Sequence, residues 1–232
     1  MKTRRRAFSL LELLVVIGLV AGLTFLFAGG LAGGGRAAVM HSAQATLANL
    51  MTAARSKAPA LNRKVRLLVH VDPAQPERYL RLLVLQVGRQ SGASPTEWDT
   101  VQRVSLPPGV CVVPAALTGL VADEAEWKRV SNPDADLVSD LFTNQALTYA
   151  LEGDDTAQTW LGVAFTPNGT LAALVTGPPP KGYVVLAQVQ VRPPGSYGPG
   201  EPPLRLVDPS GVRGLVLSAY GVPAPLNDRN AF

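Results

Sequence analysis

From Leu10 to Ala32 the chain is Leu, Val, Ile, Phe, Ala and Gly apart from Glu12 and Thr24. About 20 helical residues rising 1.5 Å each cross roughly 30 Å of hydrocarbon, so a membrane-spanning helix is predicted over residues 10–32. Gly29-Gly30 and Gly33-Gly34-Gly35 then interrupt the pattern. Each interior glycine costs about 1 kcal/mol against alanine. The stretch reads either as a place where the helix bends or melts, or as a small-residue packing face. From Arg36 a helical stripe resumes, with Met40, Ala43, Leu47, Leu50 and Ala54 on one side and Gln44, Asn49, Thr52, Arg55 and Lys57 on other faces. Pro59 stops it. Residues 8–58 are therefore predicted as one long helix whose second half packs on a globular domain.

Residues 60–232 change period. Val65, Leu67, Val69 and Val71 alternate with Lys64, Arg66, Leu68 and His70, the signature of a half-buried strand. Further strands are predicted over 79–87, 98–106, 110–113, 160–166, 171–176, 183–191, 204–207 and 213–220. Between them stand Asp72-Pro73, Pro107-Pro108-Gly109, Pro167-Asn168-Gly169 and Asp208-Pro209-Ser210-Gly211, all turn chemistry. Only 136–147 reads as a short helix. The fold class is α+β: a long N-terminal helix, transmembrane in its first half, packed on an antiparallel β-sandwich or open barrel.

Composition narrows the chemistry. With 47% apolar residues and a net charge of +4, the chain is not disordered. A single cysteine excludes a disulfide scaffold, and two histidines leave little for a zinc cage. Lys2, Arg4, Arg5 and Arg6 account for the excess charge, since the other 17 basic residues balance 17 acidic ones. That basic excess is therefore no nucleic-acid footprint of the folded domain. Arginines before the apolar run predict a cytoplasmic N-terminal end and a C-terminal domain on the far side of the membrane.

Glu12 discriminates among readings of the apolar run. A cleaved secretory signal has a shorter core without an acid, Arg5-Arg6 only partly imitates a twin-arginine signal, and a plain anchor gives the acid no role. An intramembrane carboxylate costs about 2.5–3.5 kcal/mol and calls for a partner. The segment Ala7-Phe8-Ser9-Leu10-Leu11-Glu12-Leu13-Leu14-Val15-Val16 resembles the class III signal of type IV pilins and type II secretion pseudopilins. The resemblance implies a leader of residues 1–7, cleavage by prepilin peptidase between Ala7 and Phe8, and N-methylation of Phe8. It also implies that Glu12 meets the N-terminal ammonium of a neighbouring subunit during filament assembly. Ala7 stands where glycine is commoner. Opposite charges in low dielectric give register as well as attraction.

Within residues 60–232, the runs Leu106-Pro107-Pro108-Gly109-Val110 and Phe165-Thr166-Pro167-Asn168-Gly169 resemble the GspH/FimT group of minor pseudopilins. Stretches 114–158 and 192–203 carry no such motif. The resemblance implies a structural subunit of a type II secretion pseudopilus or type IV pilus in the inner membrane, its C-terminal domain periplasmic. Implied partners are prepilin peptidase, other pilin or pseudopilin subunits, the inner-membrane assembly platform and membrane lipid.

No nucleic-acid partner is expected. The alternative, a FimT-like DNA-binding pilin, needs a basic surface that Arg63, Lys64, Arg66, Arg78 and Arg81 would have to build. Asp134, Asp136, Asp140, Asp154 and Asp155 read as a solvated acidic loop, with calcium binding as the competing reading. His41 and His70 read as surface histidines, and Cys111 as a core residue. No nucleophile elbow or phosphate-binding glycine pattern is present, so no enzymatic activity, cofactor or metal is expected.

Overall fold

The computed structural model describes residues 10–90, 97–115, 120, 127–142, 146–175, 177–198, 201–218 and 220–232, and within the first helix the side chains of 13–21 and from 35 onward. The chain divides into two compact units, Met1–Val39 and Met40–Phe232. The helix α1, Leu10–Leu61, passes through the glycine stretch with helical backbone throughout, so the predicted interruption does not break it. Extending an existing helix is far cheaper than starting one.

Pro59 does not end α1 where it stands. The chain leaves two residues later through Asn62, whose φ of 51° is left-handed. Asn62 N–H donates to Pro59 O at 3.1 Å and Arg63 N–H to Ala58 O at 3.0 Å, satisfying carbonyls that the helix end would otherwise leave open.

Among the described residues, eleven strands form two antiparallel sheets. They are β1 Val65–His70, β2 Leu82–Gly88, β3 Trp98–Ser105, β4 Val110–Val112, β5 Leu147–Tyr149, β6 Gln158–Phe165, β7 Leu171–Ala172, β8 Gly182–Val191, β9 Leu204–Leu206, β10 Arg213–Leu217 and β11 Pro223–Leu226. The first sheet runs β3-β2-β1-β6-β5, with β7 also on β6. The second runs β11-β10-β8-β4, with β9 also on β8. Leu80 links them: its N–H donates to His70 O at 2.8 Å, and its carbonyl accepts from Val112 N–H at 3.0 Å.

Two expectations fail, one on burial and one on secondary structure. The strand β1 is buried on both faces rather than one. Val65, Leu67 and Val69 point one way, while Leu68 on the opposite face joins Leu82, Val84, Leu151, Trp160 and Leu174 in a cluster of its own. Covering that face carries Arg66 and His70 inside with it. The helix predicted over 136–147 is also absent from the described part of that segment. Ser139 N–H donates to Val113 O and Leu141 N–H to Tyr183 O, so backbone donors that a helix would use go to the second sheet's surroundings.

The stripe on α1 is buried as its spacing predicts, with Met40, Ala43, Leu47, Leu50 and Ala54 in the core together with Met51 and Ala58. Gln44 corrects the reading of the other faces, because it too is buried. Its Nε2 donates to Gly214 O at 2.8 Å and to Leu226 O at 2.9 Å, fastening the helix to β10 and β11. Gln44→Leu should therefore destabilise the chain by about 1–3 kcal/mol, the usual penalty for leaving buried polar groups unmatched. Urea denaturation of the detergent-solubilised protein measures this. An unchanged midpoint would mean that the two bonds add nothing net.

Candidate functional site

The N-terminal site is only partly visible. Ala7 and Phe8 lie outside the described residues; Glu12 falls in α1, with its side chain outside them. Immediately beyond, Leu13, Leu14, Val15, Val16, Ile17, Leu19 and Val20 are each between 50% and 66% exposed. These consecutive positions sweep around the whole helix, so this segment has no polar face. A helix apolar all round belongs in a membrane or in the core of a larger assembly. Among the described residues no helix is long and apolar enough to cross a membrane. The span predicted over 10–32 includes side chains, at 10–12 and 22–32, outside that description.

The five basic residues that would build a phosphate-binding surface do not form one continuous stripe. Arg66 is buried, its guanidinium carbon 3.9 Å from the centre of the Trp98 ring and 4.9 Å from that of Tyr149. Its Nε donates to Gln86 Oε1 at 2.8 Å. Burial lowers its pKa to about 10, against the opposing effect of Tyr149, so it remains a cation at neutral pH. Arg78 pairs with Asp154 at 3.4 Å, and Arg81 Nη2 donates to Leu106 O at 3.0 Å. Arg63 and Lys64 are half-buried.

The acidic residues are likewise spread among separate partners. Asp136 pairs with Lys128, Asp140 with Arg129 at 2.7 Å, and Asp154 with Arg78. Among the described residues no three of His, Cys, Asp and Glu converge closely enough to hold a metal ion. Cys111 is fully buried on β4, as the apolar strand around it suggests, and burial pushes its thiol pKa far up. No family model, curated protein or solved structure matches this chain.

His41 is exposed, with Nδ1 3.1 Å from Arg213 Nη1. His70 is a correction: it is fully buried, its ring edge-on to Trp160 at 5.1 Å between centres. Gln158 lies near enough to favour the imidazolium, yet neither ring nitrogen completes a hydrogen bond. Nearby, Asp154 Oδ2 and Gln158 Oε1 are also buried without a partner. Alternation along β1 gave no hint of this, because the residues that seal His70 come from β6 and the 151–157 loop.

Burial lowers the His70 pKa, outweighing the carboxylates of Asp72 and Asp154; Arg78 pushes the same way as burial. The folded state therefore disfavours the proton that the unfolded chain accepts near pH ~6.5. This contribution to stability is complete above that pH and is lost as pH falls below it toward the folded value. Thermal unfolding at pH 7.5 and 5.0 should show a fall in midpoint that His70→Gln reduces. An identical fall in wild type and variant would place the acid sensitivity elsewhere.

Proposed function

We propose that this chain is a non-enzymatic, pilin-like filament subunit, most like the GspH/FimT minor pseudopilins of type II secretion or type IV pilus machines. The observation that carries the reading is the sequence Ala7-Phe8-Ser9-Leu10-Leu11-Glu12 leading into a helix that is apolar on every side. Prepilin peptidase removes residues 1–7, and the Phe8 amine is methylated. The helix rests in the inner membrane over residues 10–32, while the two sheets, arranged as a sandwich or open barrel, stand in the periplasm. The assembly platform then transfers the helix from lipid into a bundle of neighbouring subunits.

The energetics favour such a transfer. Each exposed Leu, Val or Ile of residues 13–20 is worth about 1.5–3 kcal/mol when kept from water. Lipid and a helical bundle both satisfy that demand, so moving between them costs little. Glu12 breaks the symmetry: isolated in lipid it is penalised, whereas beside the ammonium of an adjacent Phe8 it is paired. The apolar surface supplies adhesion and the carboxylate supplies register.

Mass spectrometry of the native protein should find a chain beginning at methylated Phe8. A start at Met1, or beyond residue 28, would overturn the proposal. Glu12→Leu should still insert in the membrane but co-purify with its filament about tenfold less, equivalent to roughly 1.4 kcal/mol. Undiminished co-purification would remove Glu12 from the assembly step.

A further inference from the structure

His70 is fully buried at the end of β1, yet neither of its ring nitrogens completes a hydrogen bond, and Asp154 Oδ2 and Gln158 Oε1 nearby are buried and unpaired too. We propose that His70 is an acid-operated latch: on taking up a proton it releases the 151–157 loop from the six-stranded sheet and uncovers the apolar cluster beneath.

Geometry decides which part yields. Val65–Val69 pair with β2 and Val65–His70 with β6, and His70 O accepts from Leu80 N–H at 2.8 Å. The strand cannot carry the ring to water, so water must come to the ring. The loop before β6 is the part able to move. Glu152, Gly153, Asp155, Thr156 and Ala157 are exposed and belong to no strand. The loop is held by Leu151, 3% exposed in the cluster around Leu68 and Trp160, by the Arg78–Asp154 pair at 3.4 Å, and by Arg103 donating to the Glu152 carbonyl. Ion pairs that face solvent add little, and segments with few buried contacts open readily.

Electrostatics supplies the trigger. Burial is the largest influence on the ring and disfavours its charged form. Arg78 acts in the same direction, whereas Asp72, Gln158 and Asp154 oppose it; these groups face His70 from the segment after β1 and from the loop and strand that cover it. Asp154 is already engaged by Arg78, so its attraction is shared. The net shift is downward, and the closed state therefore holds a proton less well than an open state in which the ring meets water. Opening becomes easier as pH falls through ~6.5, the ordinary imidazole value, by up to about tenfold per pH unit until the closed state is itself protonated. All residues involved belong to the Met40–Phe232 unit, so the inference stands independently of the filament proposal.

Hydrogen–deuterium exchange of the full chain in detergent micelles at pH 7.5 and 5.5 tests this, with rates expressed as protection factors so that the intrinsic pH dependence of exchange cancels. The Asp154 amide, which donates to Leu151 O at 2.9 Å, reports on the loop. Amides of β8 and β10, which pair with each other, report on the rest of the domain. Loop protection should fall by up to about tenfold at the lower pH while β8 and β10 stay unchanged. The fall should vanish in His70→Gln and in His70→Phe, the latter keeping a ring against Trp160 without a titrating nitrogen. An equal fall in either variant places the acid response in the carboxylates. A fall shared by β8 and β10 is global destabilisation, and unchanged loop protection means that the cover stays shut. Each of these three results overturns the proposal.

Discussion

Met40, Ala43, Leu47, Leu50, Met51, Ala54 and Ala58 all lie in the core of the Met40–Phe232 unit at no more than 3% exposure, and the β-domain depends on that burial. The Leu and Met side chains supply apolar area worth about 1.5–3 kcal/mol each, while the alanines let the helix backbone come close to its neighbours. Gln44 fixes where along the helix this contact is made, since its amide reaches carbonyls of two adjacent strands. The same element is thus amphipathic in one unit and apolar all round in the other. Its two parts require different surroundings, and a single helix supplies both.

The six-stranded sheet adds a second constraint, because its strands β1 and β2 are buried on both faces. Placing Arg66 on the covered face is costly unless its charge finds compensation. The ring faces of Trp98 and Tyr149 provide it without a carboxylate, at about 0.5–2 kcal/mol for each contact. Tyr149 also donates to Gln86 Oε1 at 2.8 Å, the same oxygen that accepts from Arg66. Four strands therefore contribute to one polar knot. Gly162 permits the close pairing of β1 and β6 beside it, since a Cβ there would collide with the Leu67 carbonyl oxygen.

Much of this architecture was legible where a residue's neighbours are close in sequence. The spacing of Met40 to Ala54 predicts the buried stripe, and the Pro-Gly punctuation predicts most strand boundaries. What was not legible depends on distant segments. His70 and Arg66 alternate with apolar residues as solvent-facing residues would, and only distant segments turn them inward, Trp160 against His70 and the rings of Trp98 and Tyr149 over Arg66. The strands β5 and β11 went unrecognised, one for its three residues and the other for Pro223 and Pro225, which argue against strand. Gln44 looks like any polar helix residue until β10 and β11 arrive beside it. Of the N-terminal site, the motif is wholly a matter of sequence; the contact of Arg78 with Asp154 is wholly a matter of folding, joining two loops 76 positions apart.

Cys111 is the only cysteine in the chain and is sealed within β4. A thiol so far from ionising is a poor nucleophile. Maleimide or methanethiosulfonate reagents will therefore pass it by while the domain stays folded. A cysteine engineered on the exposed turns of α1 would carry the single reactive sulfur in the molecule, making spin labels and photo-crosslinkers addressable there without first mutating the native background.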